Sequence, residues 1–290
     1  MRRGWPWLVL AACADAPDQR LAIVRAPRIL AVVAEPAEAR PMQEVSYRAL
    51  VAGPDGTIAT DLAWAQCLSP KPPTEDNAVS AACIAGGMFA DLGVAATVRA
   101  PLPVDACALH GPGVPNGEFR PRDADPSGGY YQPVRAEVVG SELLAFGLSR
   151  ITCKLPTAPF ELAQRYDREY VANRNPSIVA TSPAGPTATV AAGADVELSV
   201  TWGETDAEAY LYFDTLAREL VVRREAMRVS WFATGGEIDV DATAVAEGDD
   251  RRTVSTTWRA PAAPGPATLW FVLRDSRGGI ATSAIDVAVQ

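Results

Sequence analysis

The residues best suited to chemistry in this 290-residue chain are five cysteines, one histidine and several close carboxylate pairs. His110 lies three residues after Cys107 in CALHGPG, and any Ser-His-Asp or Cys-His site would have to use it. No G-x-S-x-G nucleophile elbow accompanies it, so it reads as a loop histidine rather than a base. No C-x-x-C or similar Cys/His spacing is present, which argues against zinc. Cys67, Cys83, Cys107 and Cys153 form an even set, the pattern of two disulfides in an exported chain. Three pairings are possible. The polar, proline-containing stretch LSPKPPTEDNAVSAA between Cys67 and Cys83 suits a local clip, which favours that pair and leaves Cys107 with Cys153.

Among the acids, Asp123, Asp125, Ser127 and Gly128 match the first half of a calcium loop, D-x-D-x-S-G. The twelfth position is Val134 where such a loop needs a bidentate Glu, so a calcium site here would borrow a distant carboxylate. The same letters also make an Asp/Pro/Gly turn. Asp239 and Asp241 alternate to one face of a segment, and Glu247, Asp249 and Asp250 crowd a loop. A glycosidase needs two carboxylates across a cleft, which adjacency in one strand does not supply; a charged edge that blocks strand-to-strand association fits better. No phosphate loop, H-E-x-x-H or dinucleotide fingerprint appears. The expectation is therefore no catalytic residue, no resident metal and no cofactor. A net charge of −9 also argues against nucleic acid as a partner.

These residues sit on what reads as two series of short strands. RILAVVAEP, EVSYRALVAGPDG, TDLAWAQCL, GVAATVRAPLPV, YYQPVRAEVVG and SELLAFGLSRITCKL form the first. In EVSYRALV, Val45, Tyr47, Ala49 and Val51 share one face, with Ser46 and Arg48 on the other. TAPFELAQRYDREYVANRNP follows: Thr157 and Pro159 suit a helix start, Leu162, Ala163, Tyr166 and Tyr170 share a face, and Asn173 to Pro176 end it. The second series alternates more cleanly, with Val196, Leu198, Val200 and Trp202, then Val229 and Trp231, then Val254, Thr256 and Trp258, then Leu269, Phe271 and Leu273. Between them LYFDTLARELVVRREA reads equally as helix or strand. Trp64, Trp202, Trp231 and Trp258 belong to the core, whereas Tyr130 and Tyr131 at a loop–strand junction are the aromatic candidates for exposure. DSRGG from Asp275 reads as a hairpin loop. The predicted fold is all-β: two antiparallel immunoglobulin-like β-sandwiches, 28–156 and 177–290, joined by a helical linker over 157–176.

At the N-terminus, Arg2 and Arg3 precede an apolar run from Trp5 to Ala12, and Leu10-Ala11-Ala12-Cys13 resembles the bacterial lipobox. The resemblance implies a signal peptide over 1–12, lipidation of Cys13 and a polar tether over 13–27. Ala14, rather than aspartate, points to the outer membrane. Several acyl chains on one cysteine would anchor the chain essentially permanently. The strand order, with WAQC, GGYYQPVR, NRNP and RDSRGG, resembles a group of bacterial lipoproteins built of tandem immunoglobulin-like domains of PKD or fibronectin type. That resemblance implies a lipid-anchored envelope protein acting as a non-catalytic binding or structural module. Its partners would be the membrane, through the anchor, and an envelope protein or polysaccharide. An accessory subunit of an envelope complex is the alternative, and an enzyme with an unrecognised site a third. Fold alone says little about activity.

Overall fold

The computed structural model describes residues 21–69, 79–84, 86–111, 126–155 and 158–290. They form a mostly β structure of several sheets, none of them closed. The first series comprises β1 (Arg28–Glu35), β2 (Glu38–Ala39), β3 (Glu44–Gly53), β4 (Gly56–Thr57), β5 (Leu62–Cys67), β6 (Phe89–Ala95), β7 (Thr97–Pro101), β8 (Gly129–Val138) and β9 (Leu144–Thr152), with a one-turn helix α1 (Ala106–Leu109) before β8. Strands β1, β4 and β7 all pair with β3, and a second sheet runs β2-β9-β8-β5-β6. Alternation drives the inward face of each. Val45, Tyr47, Val51 and Val98 from one sheet meet Leu62, Trp64, Val134, Ala136 and Ile151 from the other in one apolar cluster. Trp64 satisfies its indole N–H on the Ala95 carbonyl at 2.9 Å, which lets so large a ring be buried without an orphaned donor.

Helix α2 (Phe160–Glu169) follows β9 in the chain order. Thr157, expected to cap it, lies outside the described residues; Pro159 holds the cap position. The helix stops at Glu169, where Tyr170 turns extended, rather than running on to the Asn173–Pro176 stop signal. Tyr166 is the residue α2 buries, packed with Leu155, Leu211, Phe213 and Leu220.

The second series comprises β10 (Ile178–Ser182), β11 (Thr187–Val190), β12 (Asp195–Trp202), β13 (Ala209–Asp214), β14 (Glu219–Arg224), β15 (Met227–Ala233), β16 (Glu237–Ile238), β17 (Ala242–Val245), β18 (Thr253–Arg259), β19 (Gly265–Asp275) and β20 (Ile280–Val289). They form a β10-β12-β18-β16 sheet and a β11-β20-β19-β15-β17 sheet. Trp202, Trp231 and Trp258 are fully buried in the cluster the two sheets share. The ambiguous stretch resolves as strand: β13 and β14 form a two-stranded hairpin sheet of their own. Two short pairings depart from the antiparallel expectation. Strand β2 runs parallel to β9, and β11 parallel to β20. In both series a cis-proline, Pro36 or Pro183, stands where the chain leaves its first sheet for the opposite one.

The two series also share a core. Val24, Leu30, Ala31, Val33 and Ala52 pack on Trp270 and Val272, and the Trp270 indole N–H donates to Thr57 Oγ1 at 2.8 Å. The expected tether gives way early: Ala22, Ile23 and Val24 are buried, and Ile23 bridges in parallel to Ala233 of β15. Apolar side chains in that stretch find a sheet edge to cover, which outweighs the freedom of a linker.

Candidate functional site

The densest polar chemistry lies between the two series, and it is buried. Glu38 on the two-residue strand β2 stands opposite Arg150 of β9. Its carboxylate forms an ion pair with Arg150, Nε to Oε1 at 3.2 Å, and accepts from Thr152 Oγ1 at 2.9 Å, Tyr170 Oη at 2.8 Å and the Asn173 backbone N–H at 2.8 Å. Arg150 also donates to the carbonyl and hydroxyl of Ser127, at 3.1 and 2.9 Å. Tyr166 Oη donates to the same carbonyl at 2.7 Å.

Arg277 forms the second centre. It belongs to the β19–β20 turn yet is only 1% exposed. Its guanidinium donates to Glu225 at 2.6 Å, Glu208 at 2.9 Å, and Tyr170 Oη and the Val171 carbonyl at 3.1 Å each. Glu38 lies 3.7 Å away, and the Tyr210 ring faces the guanidinium at 4.8 Å. Asp275 braces the turn from within, accepting from the backbone N–H groups of Arg277 and Gly279 and from Asn173 Nδ2. Asn175 completes the seam, donating to the Ala34 carbonyl and Glu35 and accepting from the Ile280 N–H.

Two glycine pairs make room for this. A β-carbon at Gly129 would lie 2.3 Å from Arg150 Cζ, and one at Gly128, whose φ is +78°, would lie 2.5 Å from Tyr166 Oη. At Gly279 it would strike the Asp275 carboxylate at 2.0 Å. The stretches GGYYQPVR, NRNP and RDSRGG thus meet at one junction.

The electrostatics follow from burial. Glu225 is pushed up to about 7 by loss of solvent and by the nearby Asp275 charge, against the pull of Arg277. Burial raises Asp275 as well, opposed by the N–H groups of Gly279 and Arg277 and by Asn173. Tyr170 is raised to about 12, by burial foremost, with Arg150 opposing and Glu38 adding. Tyr166 is held protonated by burial and by Tyr170 and Glu38. Burial works to lower Arg277, but Tyr170 and Glu225 outweigh it and keep the guanidinium charged. Most donors and acceptors of this network are spent on one another, Asn173 Oδ1 being a buried acceptor without a hydrogen bond.

Both disulfides are present: Cys67 with Cys83 and Cys107 with Cys153. Cys13, Asp123 and Asp125 lie outside the described residues. Ser127, the remaining residue of that set, accepts from Arg150 with both its carbonyl and its hydroxyl oxygen. His110 closes α1, its ring 5.6 Å from that of Tyr130. Tyr130 is buried in the first core rather than exposed, while Tyr131 is half-buried, with Arg150 over its ring at 5.1 Å. Asp239 and Asp241 are exposed beside the edge strand β16 and, with Asp195, Glu237 and Arg259, line an open cleft of about 700 Å³. Asp195 is already paired with Arg259 at 2.9 Å. Asp249 pairs with Arg251, and Asp250 with Arg224. Among the described residues no three His, Cys, Asp or Glu side chains are arranged to hold a metal.

No family model matches the chain, and no curated protein matches it. Solved structures overlap it only loosely. Dimeric latent PorU from Porphyromonas gingivalis is 10% identical at a TM-score of 0.24, over 92% of this chain and 24% of that one. The Yersinia pseudotuberculosis adhesin InvE is 12% identical at 0.24, over 89% and 58%. Domains 4 and 5 of the S-layer protein SbsC are 11% identical at 0.22, over 90% and 98%. The chain thus spans about a quarter and somewhat over half of the first two. Overlap this slight carries no function across.

Proposed function

We propose that this chain is a lipid-anchored cell-envelope module that binds or spaces rather than catalyses. In this reading two immunoglobulin-like sandwiches, joined by the α2 segment, act as one stiff body held at the outer membrane through Cys13. The observation that carries it is the junction of Glu38, Arg150, Arg277, Glu225 and Asp275. These five charged groups are buried and paired within one network, which favours rigidity over turnover there. Two disulfides fit an oxidising compartment. Labelling cells with radioactive palmitate tests the anchor: the intact chain should take label and Cys13→Ala should not. Label on both, or on neither, removes it.

The alternative, an accessory subunit of an envelope complex, is favoured by a groove of about 470 Å³ between β1, β9 and the β19–β20 turn. Affinity capture from intact cells separates the two. A stoichiometric protein partner lost on Leu148→Arg would support the subunit, and polysaccharide or no protein would support the module.

A further inference from the structure

Strand β9 is covered along only one of its two edges. On one side it pairs with β8 over its whole length. On the other, β2 reaches it only at Arg150 and Ile151, because β1, which precedes β2, belongs to the opposite sheet. Which groups face the bare stretch follows from the ladder. The bonds that continue it at either end are Val138 N–H to the Leu143 carbonyl at 2.9 Å and Cys153 N–H to the Gly128 carbonyl at 2.8 Å. Bonded and non-bonded pairs alternate in an antiparallel ladder, so Ala145, Gly147 and Ser149 spend their main-chain groups on β8. Leu144, Phe146 and Leu148 point theirs outward, and among the described residues nothing takes them.

Those of Phe146 and Leu148 open into the groove of about 470 Å³ between β9, β1 and the β19–β20 turn. The facing wall is closed to pairing: on β1, Arg274 Nη2 donates to the Leu30 carbonyl at 3.0 Å and Asn175 Nδ2 to the Ala34 carbonyl at 2.7 Å. Ile29, Phe146, Leu148 and Ile280, with Tyr131, make the lining mainly apolar. Two charged residues join them. Asp275 is committed to the N–H groups of Arg277 and Gly279 and to Asn173. Arg274 has no carboxylate partner among the described residues; besides the Leu30 carbonyl it meets Ser230 Oγ at 3.5 Å. It also stands directly opposite Arg228 across the β15–β19 ladder, a like-charge pairing that destabilises. Burial first, and then Arg228, work against its charge.

We propose that this groove takes an extended segment of a partner protein, which adds as a strand to the β9 edge and brings an acidic side chain to Arg274. Main-chain bonds to Phe146 and Leu148 hold the strand, and the apolar lining receives its side chains. The stretch inside the groove, Ala145–Leu148, offers about 13 Å of edge. A carboxylate there gives Arg274 the counter-charge that Arg228 denies it. A second copy of this chain fits less well. Its own β1 and β19–β20 turn flank its β9 edge and would meet these walls, whereas a single strand carries neither. The proposal deepens the accessory-subunit reading, on which it rests for a protein partner, and needs no lipid anchor.

The test uses the purified full chain, so its failure leaves the palmitate and capture results standing. The probes are short synthetic peptides that alternate valine with threonine and carry one aspartate, moved along the set. Calorimetry should show binding by at least one member. Amides of Phe146 and Leu148 should then gain protection from hydrogen exchange on the order of tenfold or more, while those of Gly147 and Ser149, already bonded to β8, change little. Exchanging the peptide aspartate for asparagine should weaken binding about tenfold, the loss of a charge-assisted bond. N-methylation of the peptide amides should abolish binding to the unaltered protein, a control that needs no variant. Phe146→Pro should abolish it as well, since proline there removes an outward donor and leaves the β8 ladder whole. Binding by no member of the set, binding indifferent to N-methylation, to Phe146→Pro or to loss of the aspartate, or self-association of the chain that protects the same amides overturns the proposal.

Discussion

Replacing Arg277 with methionine should be among the most damaging single changes in this protein. The guanidinium is 1% exposed and neutralises Glu225 and Glu208 while satisfying Tyr170 Oη and the Val171 carbonyl. Methionine fills much of the volume but leaves Glu225 Oε1 and the Val171 carbonyl without their donor and the buried Glu225 without its cation. Breaking a buried pair by removing one partner costs about 3–5 kcal/mol. For a chain of this length the unfolding entropy is roughly 0.6 kcal/mol per kelvin near the midpoint, so the melting temperature should fall by roughly 5–8 °C. The loss should be smaller at pH 5.5 than at pH 8, because a protonated Glu225 no longer needs the cation. Differential scanning calorimetry at the two pH values is the assay, with Arg259→Met as the comparison. Arg259 pairs with Asp195 at 2.9 Å, but both side chains are more than half exposed, and such pairs contribute less than about 1 kcal/mol. If Arg277→Met and Arg259→Met melt within about 1 °C of each other, the junction does not hold the fold as argued.

Further outcomes follow from the same geometry. Gly129→Ala puts a methyl group 2.3 Å from Arg150 Cζ and should destabilise by at least about 2 kcal/mol in urea unfolding, whereas Gly140→Ala, where nothing lies within 4 Å, should cost less. Removing Cys107–Cys153, which closes 46 residues, should cost about 4 kcal/mol, and removing Cys67–Cys83, which closes 16, about 3 kcal/mol, as paired serine variants would show.

How much of this was legible beforehand depends on distance along the chain. Strands β12 and β18 alternate, and their inward Leu198, Val200, Trp202, Val254 and Trp258 were readable because each faces water on the other side. Strand β19 resisted the same reading. Leu269, Phe271 and Leu273 were expected inside, but Trp270 and Val272 are buried too, because β1 and β3 cover the other face. A strand buried twice carries no alternation to detect. The disulfide pairing was accessible because a polar loop between Cys67 and Cys83 is a local signal. The ionic junction was not: Glu38, Arg150, Glu225 and Arg277 lie far apart in sequence, and each alone reads as a solvated charge. Its traces were the glycine pairs at 128–129 and 278–279 and the Asn-Arg-Asn run, present in view but without a geometry to join them.

The N-terminal stretch has one more consequence, concerning the order in which the molecule can be completed. Val24 donates its N–H to the Ala233 carbonyl, and Ala233 returns a bond to Ala22. Residues 22–24 are made well before β15 and therefore have no such resting place until the chain has been made past that strand and its sheet has formed. Until then Ile23 and Val24 stay uncovered. A chain cut short before β15 would carry them permanently exposed, a sticky end that marks unfinished molecules for aggregation or removal.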